Sequence, residues 1–367
     1  MPPGAMEARA ALAQLHGDMA SFLRAVLQLR SNRDFEQAFQ ALRPAMESSD
    51  GHDRLFILAD AWAASDPRAA LSFLAGVDVP GWRNPYVFAA ITQWARVDAD
   101  GALAWLNRQF SADRLAALGD EQRRLTEQER EYDLVALIRG VARQSPERAE
   151  AWMLSLRDTS LRVGAMDYVL QAMWHAGEKR ALAWVEALPA DDRPLKTGAI
   201  RQALRRLIAT DPAAARAWAE SFTHPGFRQA AVQSLADQWA GTEPRQAAAW
   251  AQGLTKAGLR QVAVAETMDR WARQDPAAAE HWLRQLPPSS EWDMAKRRFA
   301  WVTRGLNAQN AFEWVAAIES DGLRLETLEQ VGRLWISEAP QEAERFIRQS
   351  DLFPAEMKQA LLDVYDR

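Results

Sequence analysis

Cysteine is absent from all 367 residues. Disulfides, thiol catalysis and thiolate-bound metals are therefore excluded. Lysine is nearly absent: Lys179, Lys196, Lys256, Lys296 and Lys358 stand among 44 basic residues, and the other 39 are arginine. That imbalance is most simply a compositional bias of the source genome. The five histidines, His16, His52, His175, His224 and His281, form no His-x-x-x-His or His-Glu-x-x-His pair, so no metal site is expected. No glycine-rich phosphate loop, dinucleotide fingerprint or Gly-x-Ser-x-Gly occurs, and neither a cofactor nor that class of hydrolase is expected. No apolar run approaches the ~18–20 residues that span a bilayer. The start, Met1 to Met6, lacks a basic segment followed by an apolar one, so no signal peptide is expected in the chain as given. The net charge of −5 argues against neutralising phosphates, and nucleic acid is not an expected partner.

What is present is a repeat. Aligned on one aromatic residue, the chain places Phe73, Trp105, Trp152, Trp184, Trp218, Trp250, Trp282, Trp314 and Phe346 in a single column. The gaps are 32, 47, 32, 34, 32, 32, 32 and 32 residues. Alanine stands three residues before every one of them: Ala70, Ala102, Ala149, Ala181, Ala215, Ala247, Ala279, Ala311 and Ala343. A small residue there lets two helices approach while the aromatic ring fills the adjoining space. A second column lies 11 residues upstream in most copies, at Trp62, Trp94, Val141, Leu207, Trp239, Trp271 and Trp335. Trp174 comes ten residues before its partner, and Thr303 takes the slot in the eighth copy. Between the columns lies a helix start, as in Asp66-Pro67, Asp211-Pro212 and Asp275-Pro276. The aspartate accepts from free first-turn N–H groups, and proline occupies a position whose N–H would have no partner.

Each copy reads as a long helix, a tight turn, a shorter helix and a loop. One such hairpin cannot bury its apolar face alone, and stacking makes the core continuous. The expected fold is all-α: an α-solenoid of about nine 32-residue helix-turn-helix repeats with capping helices at both ends. Residues 1–46 are the N-terminal cap, 47–354 the array and 355–367 the C-terminal cap. The 47-residue gap holds an insertion near 107–131. Within it Ser111 to Leu118 reads as a short helix. The charged run from Asp120 reads as an extension of the next long helix beyond the body of the array. Insertions in such arrays often mark the working face.

Paired helices with this period resemble the tetratricopeptide-like αα-hairpin repeat proteins, by architecture. Arrays of Asp-Pro followed by Ala-x-x-Trp are similar to those of bacterial proteins. The resemblance implies a bacterial source, with cytoplasm and periplasm both open, and no specific activity.

Counted back from the upstream column, positions 0, −3, −4 and −7 of the long helix cluster on one side, and −2, −5, −6 and −9 point away. Position −6 reads Phe56, Phe88, Val135 and Tyr168, then Arg201, Gln233, Ala265 and Arg297. The outward stripe is thus apolar in the first four copies and polar from the fifth. An exposed apolar stripe is an interaction site, whereas burial against the cap or the insertion is the plainer alternative. The candidate partner-binding residues are Phe56, Phe88, Tyr168, Arg201, Arg205, Arg297 and Arg298. The expected function is a non-catalytic protein-binding scaffold whose partner is a protein or peptide segment, with an acidic stretch meeting the arginines. Two alternatives are an αα-toroid that binds or cleaves carbohydrate, using carboxylates such as Asp191, Asp192, Glu129, Asp237 or Asp269, and a self-associating structural protein. Trp82, Trp292 and Trp301 fall outside the register and are candidates for exposed contacts.

Overall fold

The structure is a computed structural model that describes Leu15, residues 17–79 and residues 84–365. Trp82, His16 and the start of the N-terminal cap lie outside the described residues. The fold is all-α, with no strand among the described residues. The chain forms two compact units, residues 1–199 and 200–367.

In the first unit α1 (Met19–Val26) and α2 (Asn32–Leu42) precede an alternation of long and short helices. These are α3 (Ser49–Ser65) and α4 (Pro67–Leu74), α5 (Pro85–Val97) and α6 (Ala99–Gln109), then the small α7 (Ala112–Ala116). The pairs α8 (Asp120–Val141) and α9 (Pro146–Ser155), and α10 (Thr159–Ala176) and α11 (Glu178–Ala187), follow. The boundary between the units falls within α12 (Arg193–Thr210). The second unit continues with α13 (Pro212–Ser221), α14 (Pro225–Ala240), α15 (Pro244–Gly253), α16 (Ala257–Gln274) and α17 (Pro276–Leu283). It ends with α18 (Asp293–Thr303), α19 (Ala308–Ala316), α20 (Asp321–Glu338), α21 (Pro340–Gln349) and α22 (Ala355–Tyr365).

Packing follows the order of the chain. In the first unit α3 lies against α5, and α5 against α8; in the second α14 lies against α16, and α16 against α18. Within each unit short helices such as α4, α9, α15 and α17 touch the long helices on both sides. Among the described residues no substantial contact joins helices more than three apart in sequence. No helix of the described residues is long and apolar enough to cross a membrane.

The alanine column explains this closeness. All nine alanines are at most 1% exposed. The two aromatic columns meet within a copy: Trp62 and Phe73 lie 5.3 Å apart, Trp239 and Trp250 6.0 Å, Trp271 and Trp282 6.3 Å, and Trp335 and Phe346 5.4 Å. These separations suit tilted or edge-on rings. In the eighth copy, where Thr303 replaces the aromatic, Phe299 from one turn earlier packs on Trp314 at 5.5 Å. Trp292 is 5% exposed and belongs to this core, contrary to its expected role as a surface contact. It sits in a 3₁₀ turn (Ser290–Trp292) that directs its ring inward. Trp301 is half-buried.

The turns between paired helices share one backbone shape made by two interchangeable devices. Asp66 (φ −145°, ψ 90°), Ser145 (φ −144°, ψ 76°), Asp275 (φ −145°, ψ 84°) and Ala339 (φ −144°, ψ 71°) all precede proline, which disfavours the helical region at that residue. Asp98 and Asn307 reach the same shape without proline, their side chains accepting from Gly101 N (2.8 Å) and Asn310 N (3.0 Å). Gly177 is the exception, at φ +140°. It serves the copy whose columns lie ten residues apart instead of 11. Nothing stands within 4 Å of a Cβ added there, so the backbone alone needs glycine. Gly177→Ala should lower stability by about 1–2 kcal/mol. An unchanged midpoint in equilibrium denaturation would show that the turn relaxes freely.

Arginine fastens the loops that follow the short helices. Arg162 donates to Leu156 O, Arg228 to Phe222 O (2.5 Å), Arg260 to Leu254 O (2.5 Å) and Arg324 to Ile318 O (2.8 Å). Each arginine lies six residues after its acceptor, a carbonyl left open at a helix end. Arg162 also pairs with Asp192 (2.5 Å), and Arg260 with Glu291 (2.6 Å). Two of the rare lysines do similar work: Lys196 Nζ donates to Glu186 O (2.7 Å) and Leu188 O (2.8 Å), and Lys296 Nζ to Ala317 O (2.9 Å). Part of the arginine content is therefore structural and not merely compositional.

The insertion holds the short helix α7, and the charged run forms the first part of α8; α7 lies against α8. Arg123 holds it there by donating to Leu115 O (3.1 Å) and Leu118 O (3.0 Å).

Candidate functional site

In the first unit the apolar −6 positions converge. Phe56, Phe88, Val135 and Tyr168, from α3, α5, α8 and α10, line one groove of about 440 Å³. Their helices present the same position to the same side because long helices pack on long helices through a constant register. Phe88 is 7% exposed and forms the floor, so it is not the exposed anchor that the stripe suggested. Tyr132 covers it, ring centroids 5.0 Å apart. Phe56 and Tyr168 are half-buried in the walls. Position −5 is also less open than expected: Ala89, Ala136 and Val169 are buried. The long helices meet across it, and Thr92 Oγ1 donates to Ala136 O (3.2 Å).

Arg139 gives the groove its charge. Its guanidinium lies 5.8 Å from the Phe88 ring centre and 5.5 Å from that of Tyr168. It makes no ion pair among the described residues. A guanidinium held over two ring faces keeps its charge while losing part of its hydration. Asp60 is close enough to feel Arg96 and Arg139, yet burial holds its carboxyl above the ordinary carboxylate range. Tyr132 and Arg139 occupy positions −9 and −2, which share the outward side with −6. The helical register alone therefore places both residues beside the −6 stripe.

The basic candidates of the second unit are placed differently. Arg297 donates to Glu326 (3.1 Å) and Gln330 (2.9 Å) on α20. Arg298 pairs with Glu266 (3.2 Å) and Asp269 (3.5 Å) on α16. Burial raises the Glu266 carboxyl, with Asp269 and Asp237 adding to the rise and Arg298 opposing it. Arg201 and Arg205 are exposed, and Arg205 donates to Gln202. The structure does not gather these four arginines into one pocket; two are engaged with neighbouring carboxylates and two face solvent.

Two of the carboxylates named as possible catalytic groups have arginine partners. Asp192 receives Arg162, and Asp269 receives Arg273 (3.0 Å). Glu131 accepts from Arg157 N (2.9 Å) and Asp158 N (2.8 Å), tying α8 to the start of α10. Among the described residues no group of three or more His, Cys, Asp or Glu stands close enough to hold a metal ion. No family model matches the chain, and a search of curated proteins returns no match.

Proposed function

We propose that the chain is an α-solenoid of about nine 32-residue repeats, tetratricopeptide-like in architecture, that acts as a non-catalytic protein-binding scaffold. The occupant of its groove is a peptide segment with an aromatic or large aliphatic side chain next to a carboxylate. The observation that carries this reading is the convergence of Phe56, Phe88 and Tyr168 around an Arg139 that makes no ion pair among the described residues. The apolar residue would enter against the rings, and the carboxylate would take the guanidinium. Sequence-neighbour packing and the buried alanine column support the repeat architecture.

A random-peptide display library panned on the purified protein tests this. Enriched peptides should carry an apolar residue beside Asp or Glu. Their binding should fall about tenfold or more in Tyr168→Ser and Arg139→Gln variants. Both substituted residues are half-buried, so the melting temperature of each variant should stay near that of the parent. Peptides without the acidic residue, or binding indifferent to both changes, would remove the groove from consideration.

A further inference from the structure

A second cavity lies under the insertion. It measures about 470 Å³ and is walled by Trp105, Phe110, Leu115 and Leu118, with Glu129 and Asp133 of α8 one turn apart. Glu129 is exposed at its edge, and Asp133 is 5% exposed within it. Among the described residues Asp133 accepts no hydrogen bond and makes no ion pair.

The repeat itself marks Asp133 as out of place. It stands eight residues before Val141. The same position elsewhere holds Met166, Ala199, Ala231, Ala263 and Ala295, all buried and apolar, and Tyr86 and Thr327, whose buried hydroxyls bond to His52 Nδ1 (3.3 Å) and Leu323 O (2.6 Å). Arg54 is the other charged residue at this position, and it is fully engaged, with Asp50 (2.7 Å) and Leu15 O (2.7 Å). A core position thus carries a carboxyl without a partner, and it does so in the copy that holds the insertion. An unpaired buried carboxyl is costly to retain.

We propose that this cavity binds a small organic cation, a primary ammonium on an apolar body, with the ammonium at Asp133 and Glu129 and the body against Trp105 and Phe110. The charge inventory points to a cation. Besides the two carboxylates, only Arg114 among the described charged residues lines the space, and its Nη1 donates to Gln109 O (3.2 Å) and Gln109 Oε1 (3.0 Å). Burial, with Glu129 adding to it, holds the Asp133 carboxyl well above its ordinary range. An entering ammonium supplies the missing counter-charge. Two carboxylates without a third ligand suit an ammonium, with its three donors, better than a metal ion. The volume suits a small molecule with one ring.

Isothermal titration calorimetry of the full chain with phenethylamine, 2-phenylethanol and 3-phenylpropionate tests the proposal. Phenethylamine should bind, and the neutral and anionic analogues should bind at least about tenfold more weakly. Asp133→Asn should lose about tenfold or more for the amine while keeping the parent's circular dichroism and its affinity for groove peptides. Because Asp133 must give up its proton to pair with the ammonium, binding should release a proton, seen as a dependence of the heat on buffer. Affinity should rise with pH until the raised Asp133 value is passed. Equal binding of amine and alcohol, undiminished amine binding by Asp133→Asn, or no binding of phenethylamine up to millimolar concentration would each overturn it.

Discussion

Phe299→Ala is expected to lower stability by about 3–5 kcal/mol, the range for removing a fully buried aromatic ring. The eighth copy has Thr303 where other copies have a ring or large aliphatic group. Phe299 fills that volume from one turn earlier, 0% exposed and 5.5 Å from Trp314. Thr303 is itself tied down, its Oγ1 donating to Phe299 O (2.8 Å), and it cannot refill the space. A chemical denaturation midpoint that moves by less than about 1 kcal/mol would mean that α18 and α19 meet through other contacts.

Gly140→Ala should cost about 2–3 kcal/mol through overpacking. A Cβ at this position would stand 2.4 Å from Thr92 O and 2.6 Å from Ala95 Cβ. The nearest obstacle is backbone, which cannot rotate away as a side-chain tip would. Relief requires α8 to move off α5, and the groove floor and the Thr92–Ala136 bond lie on that same interface. Gly164→Ala provides the contrast. Its Cβ would meet nothing within 4 Å in the interior of α10, so about 0.5–1 kcal/mol of stabilisation is expected. Two glycines in long helices of one unit should thus respond with opposite sign. Equal responses would show that the α5–α8 distance is adjustable.

Much of the fold could be read along the chain because it rests on side-chain volume at fixed spacing. The nine alanines and their aromatic partners announce a close helix contact whichever helices are involved. The −6 column announced the groove for the same reason. What escaped was of a different physical kind. The arginines that close the loops bond to backbone carbonyls, and a carbonyl has no sequence signature. Position −5 was read as open because a single helix was considered, and burial there depends on the neighbouring long helix. Phe299 replaces a missing ring from another turn, which a strict column cannot show. Asp133 sits inside a charged stretch and reads as one more solvated acid until α7 is seen folding back above it. Trp292 was read as exposed because it lies outside the register, yet a short 3₁₀ turn carries it into the core.

The restriction of contacts to sequence neighbours has a consequence during synthesis. Trp62 finds its ring partners in Phe35, 5.8 Å away, and Phe73, 5.3 Å away. All three lie in α2, α3 and α4, so that part of the core can close while α10 is still on the ribosome. Within a unit, each new long–short pair then meets the apolar face of the pair before it and covers it. Each unit therefore exposes about one uncovered face at a time as it is made. Low sequence separation of contacts favours rapid closure, and brief exposure limits the interval in which such a face can stick to another chain.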